Sequence, residues 1–140
     1  MKYSKEETLA IANKASKNTL METLQIEMID YGEDFLLARM PVTPRVHQPD
    51  GVLHGGATAA LAESVGSFAS HIFLDSENLM IRGLEITANH LKSVREGYIY
   101  AKATFIHNDK VVLEADDEIW VTSPSASASL DVVISYLEQT

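Results

Sequence analysis

The residues with the clearest chemical potential stand in the stretch HQPDGVLHGGATAALAESVGSFASHIF, which begins at His47. Within it the glycine pair Gly55 and Gly56 precedes an apolar pattern of helical length. A helix that starts there presents unpaired backbone N–H groups with partial positive charge, and glycine has no Cβ to keep a ligand away. The pair is therefore a candidate oxyanion binder, although a tight turn into a helix also explains a His-Gly-Gly sequence.

One carboxylate lies inside this apolar segment. Glu63 is the only formally charged residue from Gly55 to Leu74. Removing a carboxylate from water is costly unless the group is paired or its raised pKa is useful, so Glu63 is a candidate nucleophile or general base. A solvated helical glutamate is the simpler alternative.

Small and polar side chains accompany Glu63 on the predicted helix. Ser67 and Ser70 lie at i+4 and i+7 on the same stripe, and Gly66 lies at i+3. This spacing predicts a narrow polar strip that would suit a ligand channel. A packing seam that tolerates serine explains the same spacing.

The distance along the helix limits how these groups can act together. Glu63 lies eight residues beyond Gly55, which corresponds to about 12 Å along the axis at about 1.5 Å per residue. One chain therefore cannot hold one carbonyl with both groups. If both act on one carbonyl, they come from antiparallel helices of two subunits, so the chemistry predicts a dimer with two equivalent sites.

The first third of the chain supplies a leading helix and a hairpin. Ser4 with Glu7 matches a capping box and predicts a short helix from about residue 4 to 17. The stretch LQIEMIDYGEDFLLARMPV predicts two strands joined by a turn at residues 31–34, where Gly32 can take a positive φ.

The central helix, from Gly55 or Gly56 to Leu74, is followed by four predicted strands. Their sequences are LMIRGLEITANHLKSV, YIYAKATFIH, VVLEADDEIWVT and SLDVVISYL. They follow one another too closely for parallel crossovers, so the sheet should be antiparallel. Because the helix has five alanines and one formal charge, we expect it to pack in the concave face of a curled sheet. The prediction is one α+β domain over residues 1–140, with a five-stranded antiparallel sheet around one long helix.

Composition limits the partners and the compartment. Eleven basic and twenty acidic residues give a formal charge of −9, which opposes attraction to nucleic acid and to anionic membranes. The chain has no cysteine, so it has no disulfide framework and no thiolate chemistry. The N-terminus does not match a signal peptide, and no apolar run reaches the roughly 18 residues of a membrane span. We expect a soluble, cytoplasmic protein with no nucleic-acid or membrane partner.

Two motifs in this order, HQPDGVLHGGATAALAESVGS and GLEITANHLKSVREG, resemble those of the hotdog-fold acyl-CoA thioesterases. The likeness is densest from about residue 24 to 94. The nearest branch is the small bacterial one with the phenylacetate-pathway, enterobactin-proofreading and dihydroxynaphthoyl-CoA thioesterases. The resemblance implies a curled sheet around a central helix and dimers that commonly pair into tetramers. It also implies hydrolysis of an acyl-CoA, with no metal and no cofactor besides the CoA of the substrate.

The same resemblance implies roles for particular residues. Glu63 would be the catalytic nucleophile or general base, and Gly55 the oxyanion donor. Gln48 and His54 would line the thioester carbonyl, and Ser67 would contact the attacking water or the acyl group. The residues implied to contact CoA, with Arg95 as a further phosphate candidate, are His90, Lys92 and Ser93.

The chain departs from the family pattern after the second motif. Relatives often have His, a variable residue, Gly and Arg in the later hairpin, where this chain has His107, Asn108, Asp109 and Lys110. The acidic EADDE strand and the SPSASAS connection also differ. These differences leave the nucleotide contacts and the acyl group unassigned.

Two other functions remain open. A hotdog hydratase or dehydratase would use a catalytic His with a differently placed Asp or Glu, but His47, His54 and His90 do not fall into that pattern. A non-catalytic acyl-CoA-binding dimer on the same scaffold would bind CoA esters without turnover.

Overall fold

A computed structural model of the protein describes residues 3–73, 79–90, 93–105, 112–121 and 127–138. Three α-helices and six strands occur in these ranges, with a short 3-10 turn at Pro44–Val46. The elements in chain order are α1 (Lys5–Ala15), α2 (Leu20–Thr23), β1 (Glu27–Tyr31), β2 (Phe35–Pro41), α3 (Gly55–Phe73), β3 (Leu79–His90), β4 (Tyr98–Phe105), β5 (Val112–Val121) and β6 (Ser127–Glu138).

The six strands form one antiparallel sheet in the order β1-β2-β4-β5-β6-β3. Helix α3 packs against five of them, β2 to β6. This confirms the α+β class and the antiparallel sheet with a central helix. The predicted number of five strands was wrong, because the short β1 also joins the sheet by pairing with β2.

Helix α1 confirms its predicted cap and covers the free edge of β1. The Ser4 hydroxyl accepts a hydrogen bond from the Glu7 N–H at 3.1 Å, and the Glu7 carboxylate accepts one from the Ser4 N–H at 2.8 Å. Further along, the Asn13 amide binds both the N–H and the carbonyl of Met28, at 2.8 and 3.0 Å. Asn13 therefore takes the place of a neighbouring strand at this edge.

The turn between β1 and β2 has a different cause from the predicted one. Among the described glycines only Gly51 and Gly97 have positive φ, so Gly32 does not use the positive φ that glycine permits. A Cβ on Gly32 would overlap the Phe35 ring. Glycine at this position lets the aromatic ring lie directly against the backbone.

The core lies between α3 and the strands β2 and β4. Alternate residues of each strand face the helix, as expected for a sheet with one buried side. Alanine supplies many of these contacts, so the helix can approach the sheet closely. The apolar residues of this layer with at most 1% exposure are Leu36, Ala38, Met40, Leu61, Ala62, Val65, Ala69, Ile99, Ala101 and Ala103. The opposite side of α3 stays accessible in a single chain.

Candidate active site

The first turn of α3 leaves one backbone donor open. The N–H groups of Ala57 and Thr58 donate to the His54 carbonyl at 3.0 and 3.3 Å, and the Gly56 N–H donates to Nδ1 of His54 at 2.8 Å. The Gly55 N–H makes no hydrogen bond to any described residue. It lies at the positive end of the helix dipole, so it can stabilise a negatively charged oxygen.

His54 acts as the cap of this helix. Because its Nδ1 accepts a hydrogen bond, the neutral ring carries its proton on Nε2, which remains available as a donor. A Cβ on Gly56 would lie 2.8 Å from both Nδ1 and Cε1 of His54. Glycine at position 56 is therefore needed for the imidazole to reach the backbone.

The structure brings His90 directly to the helix start. His90 is the last residue of β3 and is exposed. A Cβ on Gly55 would lie 2.8 Å from its Nε2, 3.1 Å from Cε1 and 3.2 Å from Cδ2. Each of the two glycines therefore has an imidazole ring packed directly against its Cα. Of the other implied CoA contacts, Ser93 is exposed, and Lys92 lies outside the described residues.

Gln48 presents a donor on the loop before α3. The loop turns at Gly51, whose φ is +75° and whose N–H donates to the Gln48 carbonyl at 3.0 Å. The Asp50 N–H donates to the side-chain oxygen of Gln48 at 2.5 Å. This bond occupies the amide oxygen. It leaves the amide N–H groups, which can donate to an acceptor oxygen of a ligand.

The base of this loop is anchored by residues that the sequence analysis did not single out for this role. His47 pairs with Leu53 as an isolated antiparallel bridge. The Leu53 N–H donates to the Val94 carbonyl at 2.7 Å, and Nε2 of His47 lies 2.9 Å from the Arg95 carbonyl. No local sequence signal marks these contacts, because the partners are far apart in the chain.

Glu63 lies on the side of α3 that faces away from the sheet. Its side chain is exposed in a single chain, and it forms no ion pair with a described residue. Ser67, one turn further, is half-buried. Ser70 is fully buried, and its hydroxyl donates to the Gly66 carbonyl at 2.8 Å, so the predicted polar strip does not extend to Ser70. Ser70 is therefore not accessible to a ligand, although it lies seven residues after Glu63 on the same stripe.

Other parts of the described chain do not add to this site. An open groove of about 1250 Å³ lies between α1, α2 and Arg45, and none of the predicted site residues lines it. No group of three His, Asp or Glu side chains within the described ranges is placed to hold a metal ion. None of the helices in those ranges is long and apolar enough to cross a membrane.

Residues 50–127 match a family model described as the thioesterase superfamily. The chain is 39% identical over 107 residues to the 1,4-dihydroxy-2-naphthoyl-CoA hydrolase of Escherichia coli. The aligned region covers 76% of this chain and 78% of the relative. A mutant thioesterase from Pseudomonas aeruginosa superposes with a TM-score of 0.89 at 34% identity, covering 94% of each chain.

Two mutants of one Staphylococcus aureus thioesterase also superpose on the chain, each at 31% identity. Their TM-scores are 0.81 and 0.79, with coverage of 86% and 84% of this chain and of 99% and 97% of theirs. One mutant has alanine in place of a glutamate. The other has alanine in place of a glutamine that lies fifteen positions before that glutamate.

Proposed function

The chain belongs to the thioesterase superfamily and has its hotdog fold, and on this premise we propose that it hydrolyses acyl-CoA thioesters to a free acid and CoA. The enzyme class, thioester hydrolase, follows from the family. Coenzyme A as the thiol carrier is supported by the name of the E. coli relative, a hydrolase of an aromatic acyl-CoA. Rates of hydrolysis over a panel of aromatic and aliphatic acyl-CoAs would identify the preferred acyl group.

The open N–H of Gly55 is the observation that carries the proposed mechanism. We propose that this N–H donates a hydrogen bond to the carbonyl oxygen of the thioester. That oxygen becomes negatively charged when the carbonyl carbon is attacked. One such donor contributes about 10² to 10³ in rate. Glu63 either attacks the carbon itself or removes a proton from the attacking water, which contributes about 10² to 10⁴. The C–S bond then breaks, and the CoA thiolate takes a proton. Where water is the nucleophile, this step releases the free acid. Where Glu63 is the nucleophile, it leaves an acyl–Glu63 anhydride, which water cleaves to the free acid and the Glu63 carboxylate.

Gln48 is proposed as a second donor to the same oxygen. Its amide N–H groups are left available by the bond from the Asp50 N–H to its side-chain oxygen. Gln48 and Glu63 are fifteen positions apart, the same separation as the glutamine and glutamate replaced in the S. aureus thioesterase. We place His54 and Ser67 beside the carbonyl and the attacking water, respectively, with CoA passing His90 and Ser93.

Each site is proposed to combine residues of two subunits. Gly55 and Glu63 are about 12 Å apart along the axis of α3 at about 1.5 Å per residue. The exposed side of α3 carries Glu63 between the small residues Ala60 and Ser67, so a second α3 can approach it closely. Strand β3 lies at the edge of the sheet and pairs with β6 alone among the described strands, so its other side is open to a second copy.

The substitution Glu63→Gln tests the catalytic assignment. Release of free thiol from a panel of aromatic and aliphatic acyl-CoAs should fall by about 10² or more. Stability should stay near that of the wild type, because glutamine has the shape of glutamate and Glu63 forms no ion pair with a described residue of its own chain. Glu33→Gln makes the same chemical change in the exposed β1–β2 turn and should keep full activity. Hydrolysis that survives Glu63→Gln within a few fold would exclude this mechanism.

The same assay separates the alternatives. A hydratase would change the acyl chain without releasing thiol. A non-catalytic protein would bind acyl-CoA in calorimetry without turnover. Either result with the wild-type protein would refute the proposed function.

Mixed dimers test whether the site is shared. When Glu63→Gln chains and Gly55→Ala chains are unfolded and refolded together, about half of the dimers are mixed, and each mixed dimer has one intact site of two. Recovery to about a quarter of the wild-type rate is expected. No recovery, with mixed dimers present, would place both groups in one chain. Sedimentation of the wild type would show whether dimers pair further into the tetramer that the resemblance implies.

A further inference from the structure

We propose that His47 is a positioning residue, which holds Gln48 and His54 in place by tying the base of their loop to the segment before β4. The inference rests on the proposed function, in which Gln48 and His54 on this loop lie beside the thioester carbonyl. His47 itself is not expected to touch the substrate.

The loop is fastened at its two ends to consecutive carbonyl groups. Nε2 of His47 lies 2.9 Å from the Arg95 carbonyl, and the Leu53 N–H donates to the Val94 carbonyl at 2.7 Å. Between these anchors the Gln48 N–H donates to the Val52 carbonyl at 2.8 Å. The loop is thus closed on itself and held on the neighbouring segment by one side chain and one backbone group.

Both predicted polar groups lie next to these anchors in the chain. Gln48 directly follows His47, and His54 directly follows Leu53. The His54 N–H also donates to the Val46 carbonyl at 2.8 Å, so the start of α3 is bound to the residue before His47. A shift of the His47 backbone would therefore move the Gln48 amide relative to Gly55.

The chemistry of the contact explains why its loss should affect the rate more than stability. A carbonyl only accepts, so Nε2 of His47 carries the proton, in the neutral ring or the cation. The bond lies at the surface, and Arg95 is exposed, so water can replace the imidazole as the donor to this carbonyl. Water cannot hold the loop at a fixed distance, and a displacement of about 1 Å can cost about 10² in rate.

The decisive variant is His47→Phe, which keeps a ring but removes the donor. We expect kcat to fall by about ten- to a hundredfold, with KM within about threefold of the wild type. His47→Gln restores an N–H donor and should recover most of kcat. Arg45→Gln, two residues away and outside the loop, is the matched control and should leave both constants unchanged. A His47→Phe rate within about twofold of the wild type overturns the proposal.

A double-mutant cycle identifies the residue through which His47 acts. In a Gln48→Ala background, His47→Phe should cost less than about threefold, because the group that it positions is already absent. If the two losses multiply fully, His47 does not act through Gln48, and the proposal is wrong.

Hydrogen exchange tests whether His47 holds the loop, and this test does not depend on catalysis. Failure to hydrolyse any acyl-CoA would refute the proposed function but not the role of His47. In His47→Phe the amides of Gln48 and Leu53 should exchange at least about tenfold faster, while those of β2 and β4 stay protected. Unchanged exchange at Gln48 and Leu53 would show that His47 does not hold the loop.

Discussion

Replacing Gly55 by alanine adds one methyl group at the point where α3 meets His90. The new Cβ would lie 2.8 Å from Nε2 of His90, whereas ordinary contact begins at 3.4 Å, so the imidazole must retreat by about 0.6 Å. The methyl group also stands beside the Gly55 N–H, where the thioester oxygen is proposed to bind. Because displacements of about 1 Å can cost about 10² in rate, we expect kcat/KM to fall by about ten- to a hundredfold.

Stability should not fall with activity in Gly55→Ala. His90 is an exposed side chain that can move, and alanine favours the helix by up to about 1 kcal/mol relative to glycine. The loss of rate corresponds to about 1.4 to 2.7 kcal/mol of transition-state stabilisation, at 1.36 kcal/mol for each factor of ten. Thiol release from acyl-CoA measures the rate, and a urea melt measures the free energy of unfolding.

The variant His90→Ala separates the two causes of this loss. If ring displacement dominates, adding Gly55→Ala to His90→Ala should cost less than about threefold. If the methyl group blocks the N–H itself, the full loss should persist in the double variant. A Gly55→Ala enzyme with wild-type kcat/KM would refute both explanations, and with them the assignment of the Gly55 N–H to the oxyanion.

Two further predictions concern the N-terminal segment. Asn13→Ala removes both hydrogen bonds to Met28 and should lower the free energy of unfolding by about 1 to 3 kcal/mol in a urea melt. The value of kcat should not change. An unchanged melt would show that Asn13 does not protect the β1 edge. The hydrogen bond from the Lys5 ammonium holds the pKa of Asp30 below its usual range, so the pair stabilises the fold above about pH 4 and loses this effect as the pH falls through the lowered pKa. Lys5→Met should therefore lower the urea midpoint at about pH 7 and have a smaller effect at about pH 2, and an equal effect at both would contradict this.

Features that depend on neighbouring residues could be predicted from the amino-acid order alone. The capping box of Ser4 and Glu7, the start of α3 at Gly55 and the antiparallel strands all follow from patterns within a few positions. The glycine pair and Glu63 were also identified this way, because a helix start and a lone charge on an apolar helix are local properties.

Contacts between residues that are distant in the chain became visible in the folded structure. It placed β1 in the sheet, the Phe35 ring against Gly32, and His90 over Gly55. It also joined the His47 imidazole to the Arg95 carbonyl, 48 positions away, and buried Ser70 on the stripe that leaves Glu63 exposed. A periodic pattern shows which face of an element is apolar, but not the element that covers it, because that choice depends on packing across the whole core.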